Sequence, residues 1–188
     1  MQSEDTRHLL VKVAEILDSL NISYLVTGGI AVLIWGRPRF TADIDLVVEV
    51  KAQDLAKLQK ALKNMSPQGY IELDAMKEAI KNQGEFNFID AGTGIKVDFW
   101  ILTDSLLDKA RFKRRKIKNI LNKDIYFTSP EDLILIKLKW YKESESSRQR
   151  EDVESILKIT ENLDKSYIEE MAQNIDLLDV WLKIGDKQ

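Results

Sequence analysis

The chemistry this chain can do is suggested by one glycine pair and a set of aspartates. Thr27-Gly28-Gly29 is followed, after thirteen residues, by Asp43-Ile44-Asp45-Leu46. Ser23-Tyr24-Leu25-Val26 is short, apolar and β-prone, and Ile30 to Trp35 continues as an apolar helical segment, so Gly28-Gly29 is expected to be a strand-to-helix turn. Glycine lets backbone N–H groups approach a ligand with no Cβ in the way, and the following helix offers unpaired N–H groups and a partial positive end. Such a turn suits a triphosphate. On the next strand Asp43 and Asp45 stand at i and i+2 and so project from one face, while Ile44 and Leu46 face the other way. Two carboxylates on one face repel unless a cation sits between them. Oxygen-only ligands favour a hard ion, which makes Mg2+ the expected guest, with Mn2+ able to replace it.

Ile95-Lys96-Val97-Asp98-Phe99-Trp100-Ile101-Leu102 reads as another strand, with Asp98 its only acid. If this strand lies beside that of Asp43 and Asp45, three carboxylates could bind two metal ions, one on a nucleophile and one on a leaving phosphate. Phosphoryl-type transfer asks little else of a protein than positioning and charge neutralisation. Each piece also has a plainer reading: a glycine turn without a ligand, a solvated acidic face, or an acid that accepts backbone N–H bonds. Their order and spacing together carry the chemical reading.

Val26-Thr27-Gly28-Gly29, Asp43-Ile44-Asp45 and Asp98 resemble, in that order, the polymerase-β-like nucleotidyltransferase superfamily, although a gap of thirteen is long for it. Gly36-Arg37-Pro38-Arg39-Phe40-Thr41-Ala42-Asp43-Ile44-Asp45-Leu46 resembles the bacterial branch that includes the abortive-infection nucleotidyltransferase toxins of type IV toxin–antitoxin systems. Ser129-Pro130-Glu131-Asp132-Leu133-Ile134-Leu135-Ile136-Lys137-Leu138 and Arg148-Gln149-Arg150-Glu151-Asp152-Val153 resemble its helical half. The resemblance implies a Mg2+-dependent transferase that moves a nucleoside monophosphate from an NTP to an acceptor hydroxyl. In it Asp43 and Asp45 hold both metals, Asp98 joins the nucleophile-side ion, and Gly28 and Gly29 present backbone to the β- and γ-phosphates. Arg39, Thr41, Lys137 and Asp152 follow as secondary nucleotide-binding candidates. An antitoxin is an implied partner. The matched segments run from about Tyr24 to Leu157.

The elements that must position these residues are legible in outline. Leu9, Leu10, Val13, Ile16, Leu17 and Leu20 recur at helical spacing in an opening helix over Asp5 to Leu20. A second amphipathic helix is expected over Ala52 to Asn64. Gly84 to Asp90 and Ile95 to Leu102 flank Ala91-Gly92-Thr93-Gly94 as a hairpin, and Lys116 to Leu121 with Asp124 to Thr128 form a further strand pair. From Pro130 the pattern is helical, opened by a serine cap, a first-turn proline and two acids. The fold class is therefore α/β: a mixed-sheet nucleotidyltransferase core over residues 1–128 followed by a C-terminal helical bundle over 129–188.

Lys109 to Lys118 holds seven basic residues in ten, among them Arg114 and Arg115, in a chain of net charge −3, so the remainder carries −10 once these seven are set aside. A local anionic partner, RNA or the triphosphate, and a solvated strand edge guarded by lysines are equally consistent with it. Lys137 lies in a helix apolar on several sides. It must find an anion, such as a triphosphate, or snorkel to water. Arg148, Arg150 and Asp152 either line a cleft or make surface pairs.

With 188 residues, 44% of them hydrophobic, the chain can fill one generous core or two small ones. The absence of cysteine removes disulfides, thiol catalysis and thiolate zinc sites, and leaves metal chemistry to carboxylates. His8, the single histidine, sits beside Leu9 and Leu10 and is expected to pack or face solvent. The first residues lack a signal-peptide pattern and no apolar run is long enough to span a bilayer, so a cytoplasmic location is expected. The acceptor is left open between RNA, a protein hydroxyl and a small molecule. The alternative to an enzyme is an inactive nucleotide-binding or toxin–antitoxin interaction module.

Overall fold

A computed structural model describes residues 2–185, with side chains from Thr6 onward. In chain order the elements are α1 (Gln2–Ser19), β1 (Ser23–Thr27), α2 (Gly28–Trp35), β2 (Asp43–Glu49), α3 (Leu55–Met65), α4 (Leu73–Asn82), β3 (Glu85–Ile89), β4 (Lys96–Ile101), α5 (Leu106–Lys113), β5 (Lys116–Ile120), β6 (Lys123–Phe127), α6 (Pro130–Ser144), α7 (Ser147–Ile159), α8 (Lys165–Asn174) and α9 (Leu178–Gly185). They divide between two compact units. The first comprises Met1–Ile30, Thr41–Thr103 and Lys116–Phe127, the second Ala31–Phe40, Asp104–Arg115 and Thr128–Gln188.

The first unit holds a mixed sheet of order β3-β4-β2-β1-β6-β5. β1 pairs antiparallel with β2 and parallel with β6, β2 pairs parallel with β4, and the β3–β4 and β5–β6 hairpins are antiparallel. The expected hairpin and the later strand pair are both present. α1 packs on β1 and β6, α4 packs on β3 and β4, and α3 contacts both helices. Ile44, Leu46, Val48, Val97, Phe99, Phe86 and Phe88 alternate onto one buried face, with the Phe86 and Phe99 rings stacked 4.9 Å apart. Burying side chains of this kind contributes about 1.5–3 kcal/mol each. On α3, Leu55, Leu58 and Leu62 form the buried stripe that helical spacing predicts. That helix is preceded by a tight 3-10 turn over Ala52–Asp54 and so starts later than expected.

α4 and α5 are not anticipated by the sequence. α4 buries only Met76 and Ala79, too little apolar periodicity to stand out. α5 hides its pattern differently, because Asp108 and Arg111 lie buried with Leu107 and Phe112, joined by a 2.7 Å ion pair. Three of the seven basic residues, Lys109, Arg111 and Lys113, thus belong to a helix, with Lys116 and Lys118 on β5.

The second unit is helical. Ser129 caps α6 by accepting from the Asp132 backbone N–H at 3.2 Å, with Pro130 in the first turn, as expected. α6 packs on α5, α7, α8 and α9. Its residues from Pro130 to Leu138 are buried without interruption. Trp35 ties the start of this unit down, since its Nε1 donates to the Thr128 carbonyl at 2.9 Å and its carbonyl accepts from the Thr160 hydroxyl.

Candidate active site

Strand register assembles the aspartates. Thr27 pairs with Asp45 across β1 and β2, Asp45 with Asp98 across β2 and β4, and Asp98 with Asn87 across β4 and β3. Directly paired residues share a face, so these four side chains form one polar row. Asp43 and Lys96 are partners two residues along and share that face. Asp45 and Asp98 are 9% and 5% exposed, whereas Asp43 is half-buried.

Gly28 closes the row at β1. It adopts φ +60°, and a Cβ there would overlap the Asp45 carboxylate. A Cβ on Gly29 would likewise run into the Thr41 side chain. The glycine pair therefore keeps backbone against carboxylate and hydroxyl where any side chain would intrude. Thr41 donates from its hydroxyl to Asp43 Oδ1 at 3.0 Å and so orients that carboxylate. The Thr27 hydroxyl is buried without a hydrogen-bond partner, in register with Asp45.

Two charged neighbours were not singled out by sequence. Lys96 places its ammonium 2.7 Å from Asp98 Oδ2. Its pKa is raised, first by that hydrogen bond and further by the charges of Asp98, Asp43 and Glu85, against a smaller opposing effect of burial. Glu85, two residues from Asn87 on β3, has its carboxyl pushed up by burial and by the negative charges of Asp98 and Asp45, with Lys96 opposing. The alternation of β4 could have flagged Lys96, since it shares parity with Asp98. Glu85 carried no such signal.

The donor set suits a hard cation in kind, being carboxylates from adjacent in-register strands beside a glycine cradle and an orphaned hydroxyl. Among the described residues, however, no three His, Cys, Asp or Glu side chains are grouped as a metal cage. The cation on Asp98 is Lys96.

The remaining candidates lie in the second unit. Arg39 engages Asp152 with both forks, Nε to Oδ1 at 2.7 Å and Nη2 to Oδ2 at 2.8 Å, and Lys137 Nζ meets Asp152 Oδ2 at 3.0 Å. Lys137 is 2% exposed, so its ammonium is held by a carboxylate and does not snorkel. Burial pushes the Asp152 carboxyl up, but the Arg39 hydrogen bonds and the Lys137 charge outweigh it and hold it below its ordinary value. Arg114 lies 3.4 Å from Glu131 and 3.5 Å from Asp132, with its guanidinium 3.7 Å above the Tyr167 ring. Arg115 donates to the Phe112 carbonyl at 3.0 Å and covers that ring. Arg148 donates to the Phe40 carbonyl and Arg150 pairs with Glu154.

A mixed sheet carrying a glycine turn and in-register aspartates, joined to a helical region, is the polymerase-β-like nucleotidyltransferase fold. Solved structures agree. ANT(2'')-Ia, an antibiotic-resistance factor, matches with a TM-score of 0.64 at 15% identity over 97% of each chain. An antigenic nucleotidyltransferase-like protein from Paracoccidioides brasiliensis matches at 0.53 and 20% identity, over 96% of this chain and 93% of that one. The lincosamide antibiotic adenylyltransferase LnuA matches at 0.52 and 17% identity, over 78% of this chain and 92% of its own. At these identities the likeness is one of fold. No curated protein matches the chain. The family model for the nucleotidyl transferase AbiEii toxin of type IV toxin–antitoxin systems matches residues 14–175, and the chain belongs to that family.

Proposed function

We propose that this protein transfers a nucleoside monophosphate from an NTP to an acceptor hydroxyl, in the cytoplasm, as the toxin of a toxin–antitoxin pair. The observation that carries the reading is the register of Asp45 with Asp98, with Asp43 on the same face. Asp43, Asp45 and Asp98 would hold two Mg2+ or Mn2+ ions, which when bound would neutralise phosphate charge and lower the pKa of the acceptor oxygen. Gly28 and Gly29 would turn backbone toward the β- and γ-phosphates. The acceptor oxygen forms its bond to the α-phosphorus, the bond to pyrophosphate breaks, and pyrophosphate leaves with that electron pair. Asp98 would join the nucleophile-side ion and favour loss of the acceptor proton, which passes to solvent. We further propose that residues 1–128 act as the catalytic half and 129–188 as the helical half. Arg39, Lys137 and Asp152, which form one ion cluster, would support nucleotide binding.

RNA is the acceptor favoured by the basic run, of which Lys109, Lys113 and Lys116 are exposed. ANT(2'')-Ia has been solved with adenylyl-2''-tobramycin and LnuA with lincomycin, so a small-molecule hydroxyl is the second acceptor class to test, and a protein hydroxyl the third. One observation favours an inactive module instead: Lys96 on Asp98, with no three-acid cage among the described residues. Incubating the protein with each α-labelled NTP, Mg2+ and total RNA, protein extract or aminoglycoside separates these readings. Label on RNA supports the proposal, label on another acceptor redirects it, and no label with tight NTP binding establishes the inactive module.

A further inference from the structure

We infer that Lys96 is the resident counter-charge of the aspartate row and competes with the divalent cation for Asp98. The inference rests on the reading of Asp43, Asp45 and Asp98 as a metal site. Lys96 stands two residues before Asp98 on β4, shares its face, and meets Oδ2 at 2.7 Å. Across the strand pair it is the register partner of Asp43. Its charge is therefore set among the same carboxylates that an ion would use.

The two members of the pair differ in freedom. The Asp98 side chain is 7% exposed, whereas that of Lys96 is 44% exposed. A short buried carboxylate on a central strand cannot follow the lysine, but the four-carbon stem can swing into solvent without opening the core. Lysine is a compact point charge on a flexible stem, suited to leaving, where a bidentate arginine would hold on. Before an ion arrives, the ammonium offsets the mutual repulsion of the in-register acids. An arriving dication must displace it, so the free protein binds metal more weakly than it would without that charge.

The test is Mn2+ binding by electron paramagnetic resonance of the purified protein without nucleotide, with melting curves confirming that each variant is folded. Removing the charge in Lys96→Gln, or in Lys96→Met, which keeps most of the stem, should tighten the Mn2+ Kd by about fivefold, the upper end of what an exposed ion pair contributes. Lys96→Arg should leave it weak. In an Asp98→Asn background the Lys96→Gln change should have a clearly smaller effect, because the carboxylate that Lys96 contacts is gone and only its longer-range charge remains. Wild type binding Mn2+ as tightly as Lys96→Gln and Lys96→Met, or more tightly, overturns the inference and leaves the metal site standing. Mn2+ binding by none of the proteins, or undiminished binding in Asp45→Asn, overturns the metal site and the inference with it.

Discussion

Asp45 and Asp98 are register partners on adjacent parallel strands, and both are nearly inaccessible to solvent. Like charges placed side by side at low exposure raise the energy of the free protein. A sheet selected for stability alone would not keep them. The repulsion is partly relieved by Lys96, whose ammonium lies 2.7 Å from Asp98 Oδ2.

Replacing one member should therefore separate chemistry from stability. Asp45→Asn is expected to lower nucleotidyl transfer by at least about a hundredfold, the scale on which losing one preorganised electrostatic group reduces rate. Its melting temperature should be equal to or higher than that of wild type. A labelled-NTP assay and a thermal melt on the same preparation check both. Undiminished transfer removes Asp45 from the mechanism.

Glycine positions can be set against each other. Gly28→Ala forces a left-handed backbone on an L-residue, about 1–2 kcal/mol, and also drives a methyl group into the Asp45 carboxylate. For a chain of this size that is a loss of several degrees in melting temperature. Gly84, with nothing within 4 Å of an added Cβ, should accept alanine with no more than a small change. Equal melting temperatures for the two variants would contradict the close approach.

Asp152 links charge to acid stability. Its carboxyl is held below the ordinary value of 3.8, so it adds stability above that pH and loses it as pH falls through its lower folded value. Wild type should thus lose stability as pH falls below about 4, and Asp152→Asn should lack this part of the acid limb. At pH 7 the variant takes the carboxylate away from buried Lys137 and half-buried Arg39 and should be destabilised by about 3–5 kcal/mol. Circular dichroism melts across pH would reveal parallel acid limbs if the cluster contributes nothing.

The basic run is best tested at its exposed lysines. Arg114→Glu would set a third negative charge beside Glu131 and Asp132, and should lower the melting temperature whatever the ligand. Lys113→Glu with Lys116→Glu, both at exposed positions, should preserve stability. If RNA is bound there, affinity falls and the salt dependence of binding flattens by about 0.7–0.9 per lost phosphate contact. Salt titrations with RNA and with NTP, wild type against the double variant, decide between the two anions.

The amino-acid sequence by itself determined the order of elements around the glycine turn, the shared parity of Asp43 and Asp45, the β3–β4 hairpin and the capped start of α6. Those features are local: they follow from periodicity of two or 3.6, from glycine and proline, and from a serine three residues before its N–H donor. Only the tertiary structure decided that β4 lies beside β2 in a register that pairs Asp45 with Asp98, because strand neighbours separated by a crossover are chosen by packing of the whole sheet. It also decided where the charges went. Lys137, which sequence could send to a triphosphate or to water, found Asp152 from another helix and shared it with Arg39. Arg111 and Asp108 spent their charges on each other inside α5, erasing the apolar pattern that would have announced that helix. A buried ion must be met by whichever opposite charge the fold brings within reach, and that choice is made in three dimensions.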